Sequence, residues 1–159
     1  MNAAQDGLFV AQQLVRITAK EARYLERTVG RLCSMNIDLA WVESLESSDE
    51  HSEMLDAFVS RYGRLQDTLG DKLLPALLRL NIEKTGSQLD NLLRAEKLGW
   101  IESTQVWIEL RELRNRLVHE YMESASDLLS ALQQALQSAD KLGSTQVLMA
   151  QAVQRVQSK

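Results

Sequence analysis

The sequence predicts an all-α fold, an up-down bundle of four to six helices forming a single domain over residues 1–159. Three observations carry that prediction. Proline occurs once and glycine seven times in 159 residues, too few chain breakers for a fold rich in strands and tight turns. Apolar residues recur at the helical period along nearly the whole chain. Strong helix formers (Leu, Ala, Glu, Gln, Arg) fill the positions between them. A chain of this length buries a proper core within one domain.

The first periodic segment runs from about Leu8 to Leu45, with Ala11, Leu14, Ala22, Leu25, Val29, Leu32, Met35 and Leu39 on one face and Arg16, Lys20, Glu21, Arg23, Glu26 and Arg27 on the other. Gly30 costs about 1 kcal/mol relative to alanine inside a helix, and Asn36 and Asp38 both suit an N-cap. The segment is therefore either one long helix or two with a break in the thirties. Tyr24 and Trp41 are expected to pack. Cys33, among Val29, Leu32 and Met35, is expected as a small core residue. It is the only cysteine, which fits a reducing, cytoplasmic setting.

Residues 46–53 form a polar stretch expected to be a loop, with His51 solvated inside it. A second helix is expected over about Met54 to Leu80, kinked near Asp71 because Pro75 removes a backbone donor, with Gly70 as a further interruption. Its centre carries Arg61 and Arg64, three apart and so on one face. That pair is either a solvated stripe in which Arg64 pairs with Asp67, or a basic wall facing a later helix. A short helix follows, with Ser87 as N-cap, Asp90 at the capping-box position and Gly99 as its stop. Ser103 caps the next helix, and Trp100 and Trp107 read as core anchors. Ser124 or Ser126 then caps a helix through Leu142 that Gly143 ends. The bundle core is thus expected over about 8–142. Residues 144–158 keep a helical period (Val147, Ala150, Val153, Val156) and either extend the bundle or serve as an association surface.

The helix after Ser103 holds the densest chemistry. Residues 111–121 gather Arg111, Arg114, Arg116, Asn115, one of only two histidines (His119) and Tyr121. Val106, Leu110, Leu113, Leu117 and Tyr121 form an apolar stripe, and Arg114 falls within it. A guanidinium on such a stripe needs a partner or a wet interface. Asn115 and His119 are i,i+4 neighbours, so the amide is placed to orient the imidazole. Arg114 and His119 are five apart, about 140° around a straight helix. They meet at one atom only if the helix loosens near Val118 or a second subunit supplies half of the site. The plain structural alternative leaves Arg116 and His119 on a solvated face and pairs Arg114 with Asp67 or Glu112.

Bulk properties narrow the function classes. A net charge of −4 and an isoelectric point near 5.3 leave no global basic field for nucleic acid, so any attraction to RNA must come from local arginines. Two histidines and one cysteine, far apart in sequence, supply too few soft ligands for a zinc site. No stretch approaches the roughly 18 apolar residues of a membrane span, and no N-terminal signal is read.

Arg114-Asn115-x-x-x-His119-x-Tyr121, near the end of a helix late in an all-α domain, resembles the signature of the HEPN superfamily. Its His-x-Tyr ending is most similar to the HepT branch, ribonuclease toxins paired with a minimal nucleotidyltransferase antitoxin called MntA. The similarity spans roughly residues 50–130 and is sharpest at 95–121, where Ala95-Glu96-Lys97-Leu98-Gly99-Trp100 also looks family-like. The helix around Arg61 and Arg64 looks like the second helix of these proteins. The resemblance implies a homodimeric toxin of a type II-like toxin–antitoxin system that cleaves RNA without metal or cofactor. Arg114 and His119 would be its catalytic pair, Asn115 the polar residue that commonly follows the arginine, and Tyr121 the residue to which the partner attaches AMP. Arg111 and Arg116, with Arg61 and Arg64, are candidates to hold flanking phosphates. The chemistry suits the residues: a histidine titrates near neutrality, and an arginine gives a phosphate a fixed, bidentate cation. Tyr121 also suits a core or interface position. A related group, the nucleotidyltransferase substrate-binding proteins, shares the bundle and much of the motif. It implies a second expectation, a non-catalytic subunit that holds nucleotide on the same residues.

Overall fold

Asn2 and Gln5 close a reciprocal capping box and start helix α1 (Ala3–Cys33). The break expected in the thirties is present, and Asp38 makes it. Its carboxylate accepts the Trp41 N–H at 2.9 Å and opens the short α2 (Leu39–Glu43). The computed structural model describes residues 2–120 and 123–158, and every regular element among them is helical. Cys33 is exposed rather than buried, because Leu32 takes the core position of that turn.

The expected loop is shorter than its polarity suggests. A 3₁₀ turn over Ser44–Glu46 leads directly to Ser48, which caps α3 (Asp49–Asp67) by accepting the His51 N–H at 3.1 Å. Asp49 and Glu50 favour a helix start there, since negative charge complements the helix N-terminus. His51 is consequently not a solvated loop residue. Its ring stacks on Trp41 at 4.9 Å, and its Nδ1 lies 2.7 Å from Ser44 Oγ. The Ser44 hydroxyl donates to the Trp41 carbonyl, so it accepts from His51, and the two helices are pinned together.

Gly70 and Pro75 do not end the next rod. Helix α3 passes through a π-helical segment, Thr68–Leu73, into α4 (Leu74–Leu80). The Leu74 N–H reaches back five residues to the Leu69 carbonyl. This wide turn lies where the kink was expected, and it absorbs the proline's missing donor and bulky ring. The rod closes at Asn81 with the Glu83 N–H on the Leu78 carbonyl. Ile82 then occupies the position where helices favour glycine, at φ 56°.

Helix α5 (Gln88–Lys97) has the expected Ser87–Asp90 capping box, and Gly99 stops it at φ 77°. Ser103 Oγ accepts the Val106 N–H at the head of α6 (Thr104–Glu120). Ser124, not Ser126, caps α7 (Ala125–Ser138). Ala139 alone separates α7 from α8 (Asp140–Gln157), so Gly143 sits inside a helix and ends nothing. The C-terminal segment also belongs to the core. Leu142, Met149, Ala152 and Val153 are buried, and Gln146 Nε2 reaches the Val15 carbonyl of α1 at 3.3 Å.

Helix α1 is the spine, packed chiefly on α8 and α3. Its pairing with α3 and α4 is antiparallel, with Thr28 on Arg61, Glu21 on Thr68 and Gly7 near Leu80. Helix α6 packs on α7 and α3, and α5 bridges α4 and α6. Phe58, Tyr62, Leu65, Leu69, Leu73, Leu77 and Trp107 centre one core shared by these elements. No described helix is long and apolar enough to cross a membrane.

Ile82 is 95% exposed, so its side chain gains no packing for its left-handed backbone, which costs a β-branched residue about 1–2 kcal/mol. Replacing Ile82 with Gly is expected to stabilise the protein by about 1 kcal/mol, after allowing for the freer unfolded chain. Urea denaturation measures this, and a lower midpoint for the variant contradicts it.

Candidate functional site

The α3–α6 seam positions Arg114. Gly63 and Gly70 stand seven apart on α3 and the π segment, and Trp107 and Arg114 stand seven apart on α6. The helices run antiparallel, so Gly63 receives Arg114 and Gly70 receives Trp107. A Cβ on Gly70 would lie 3.1 Å from Trp107 Cζ2. A Cβ on Gly63 would lie 2.6, 2.8 and 2.9 Å from Arg114 Nε, Cζ and Nη2. The guanidinium therefore lies directly against the α3 backbone, in space that any side chain at position 63 would fill.

Two polar contacts fix the register of this seam. The buried Tyr62 hydroxyl donates to the Leu110 carbonyl at 2.8 Å, and Gln66 Nε2 reaches the Trp107 carbonyl at 3.4 Å. Burial pushes the Tyr62 phenol far above its usual range, against the opposing pull of the Arg114 charge. Tyr62 thus stays a neutral donor at any physiological pH.

Arg114 does have a partner, as a guanidinium on an apolar stripe requires. Its Nη1 bonds Asp67 Oδ1 at 2.5 Å, with side-chain exposures of 31% for Arg114 and 50% for Asp67. Solvent screening holds such a pair to roughly 0.2–1 kcal/mol. Of the two partners expected under the structural alternative, Asp67 is the one used, and Glu112 is exposed.

The pair stands on the wall of an open groove of about 460 Å³ between α3, the π segment and α6. Arg64, Lys72 and Arg114 bring positive charge to it, Asp67 and Asp71 negative charge, and Ser60 and Thr68 add hydroxyls. Thr68 Oγ1 lies 3.1 Å from Glu21 Oε2 of α1. Burial raises the Glu21 carboxyl above its ordinary range and Asp67 adds to that, while the Thr68 bond, Arg64 and Lys72 pull it back.

The two arginines expected to share a face separate. Arg64 turns to the groove and bonds Ser60 Oγ at 3.3 Å, without pairing with Asp67. Arg61 turns to α1, donating to the Tyr24 carbonyl at 3.1 Å and to Thr28 Oγ1 at 2.6 Å, over the Tyr24 ring. It is a tie between helices and does not line the groove. Lys72 takes the place expected for Arg61, and sequence reasoning passed it over. A straight helix leaves residues 64 and 72 out of line by about 80°. The π segment holds an extra residue in its turn and rotates Lys72 towards Arg64. A proline three residues beyond Lys72 was the one available signal.

Arg111 and Arg116 are partly buried on α6, while Asn115 and His119 are exposed. Among the described residues no hydrogen bond joins Asn115 to His119. Helix α6 runs unbroken to Glu120, so it does not loosen near Val118, and Arg114 and His119 stay about 140° apart. The groove reaches Val118 but not His119. Tyr121 lies outside the described residues. Among the described residues no group of three or more His, Cys, Asp or Glu side chains is placed to hold a metal ion.

Gly63→Ala adds a methyl group where the guanidinium lies and gains about 1 kcal/mol of helix propensity. The variant is expected to keep its thermal stability within about 1 kcal/mol of wild type while the NMR resonance of Arg114 Nε–H moves. An unmoved resonance contradicts the slot.

No family model matches the chain, and no curated protein or solved structure matches it either.

Proposed function

We propose that the protein is a HEPN-type endoribonuclease of the HepT kind, a toxin that cleaves RNA through the attack of a 2′-hydroxyl on the adjacent phosphorus. Bond formation there expels the 5′-oxygen of the next nucleotide and leaves a cyclic phosphate. His119 transfers the proton, and Arg114 carries the charge that builds on the phosphoryl oxygens. Arg64 and Lys72 hold neighbouring phosphates. The observation that carries this reading is the Gly63 slot, which presents a fixed guanidinium at the wall of a groove that two further cations also line. A fork held in place meets a phosphate with less loss of entropy than a free one.

The unbroken helix between Arg114 and His119 gives this proposal its quaternary form. One chain cannot bring both groups to one phosphate, so the catalytic site joins Arg114 of one copy to His119 of a second in a homodimer. The partner proposed for regulation is an MntA-like nucleotidyltransferase acting on Tyr121, whose AMP adduct would repel an RNA backbone. A cytoplasmic location belongs to the same proposal. One observation favours a second reading: His119 is absent from the Arg114 groove. A monomer of this form is a nucleotide-binding subunit, with Arg114 and its neighbouring cations holding phosphate and no group moving a proton.

The purified protein in excess EDTA is expected to cleave RNA, with Arg114→Ala and His119→Ala each slower by at least about 100-fold and still folded by circular dichroism. Intact RNA with wild type carrying an unmodified Tyr121, or cleavage by both variants as fast as by wild type, overturns the ribonuclease reading and leaves the nucleotide-binding one.

A further inference from the structure

The groove beside Arg114 already holds an anion of its own. The Nε and Nη2 side of the guanidinium is pressed on α3 at Gly63, and Asp67 Oδ1 takes Nη1. The end of the fork turned away from the α3 backbone is thus the end the carboxylate holds. A carboxylate and a phosphodiester offer a guanidinium the same acceptor oxygens, and a phosphate that takes that end with two of its oxygens must displace the carboxylate. Asp67 is half exposed, and Arg114 is its only hydrogen-bond partner among the described residues. Its neighbour Asp71 is held differently, by Gln88 Nε2 at 2.6 Å.

We infer that Asp67 is a resident competitor that gates Arg114, so that a chain of phosphates displaces it and a single phosphate does not. This rests on the ribonuclease reading and adds its selectivity. Three cations line the groove, and of these three only Arg114 is in an ion pair among the described residues. Arg64 and Lys72 are eight residues apart, roughly 12 Å along the rod, and Arg114 reaches from Gly63 to Asp67, at the Arg64 end of that span. One phosphate on Arg64 or Lys72 raises the effective concentration of the next one at Arg114, where it outcompetes the carboxylate. A mononucleotide lacks that second anchor and meets Arg114 already neutralised. The gate therefore biases the site against abundant small phosphates and in favour of an RNA strand.

The test is binding of a short 2′-O-methyl RNA oligonucleotide, which lacks the attacking hydroxyl, and separately of AMP, to wild type, Asp67→Asn and Asp71→Asn. Both substitutions remove one negative charge from the groove wall, but only the first frees Arg114. Asp67→Asn is expected to bind the oligonucleotide about two- to fivefold more tightly and to gain proportionally more affinity for AMP, while Asp71→Asn gains less of each. Equal gains in the two variants show a charge effect alone and overturn the gate. Weaker binding by Asp67→Asn overturns it too, and makes Asp67 a residue that positions Arg114. Failure of every variant to bind removes the gate and the RNA reading together. The expected binding pattern in a protein that leaves RNA uncut keeps the gate and removes only the catalysis.

Discussion

The approach of α6 to α3 is the contact on which the rest of this structure depends. Two glycines set one heptad apart on one side of it receive a tryptophan and an arginine set one heptad apart on the other. Each glycine gives up a side chain, and about 1 kcal/mol of helix propensity with it. Trp107 fills the space at Gly70 as a core anchor, 2% exposed. Arg114 fills the space at Gly63 as a cation. The same crossing thus makes the hydrophobic core at one end and the polar site at the other, and Tyr62 and Gln66 lock its register between them. Helix α6 cannot slide by a turn without forfeiting both ends.

That arrangement explains how an acidic protein can present a positive groove. The overall charge of −4 repels a polyanion at long range, but screening confines that field to about 10 Å at moderate salt. At contact distance the local balance decides, and there Arg64, Lys72 and Arg114 outnumber Asp67 and Asp71. Holding Arg114 against the backbone also limits the number of anions that can reach it. A flexible arginine on a solvated face would bind more promiscuously and with less directional preference.

Most of the helical architecture is legible in the chain because caps and periodicity act locally. Asp38, Ser87, Ser103 and Ser124 each accept the backbone N–H three residues on, and short side chains with an oxygen at the right distance announce as much. Polarity alone misled at residues 46–53, where Ser48 and two acidic residues are as good a helix start as they are a loop. Gly143 misled in the same way, since a glycine favours a helix stop by turning left-handed and Gly143 does not, and the junction of α7 and α8 falls earlier at Ala139. Arg114 was visible as an anomaly on its apolar stripe, and Asp67 as one of two partners. What no periodicity reveals is the extra residue of the π segment, which brings Lys72 to the groove, or the α1 partners that draw Arg61 away from it. The first is signalled only by Pro75 just beyond it, and the second depends on which helix lies opposite, a tertiary fact with no local signature.

The central functional claim is that the site is shared between copies, because an unbroken helix holds Arg114 and His119 on different sides. Mixing the two inactive variants, Arg114→Ala and His119→Ala, tests it most directly. In a shared site a mixed dimer has one intact Arg114–His119 pair, so random reassortment should restore about a quarter of the wild-type RNA cleavage. A mixture that stays inactive after subunits have demonstrably exchanged would contradict the shared site and the geometry from which it is argued.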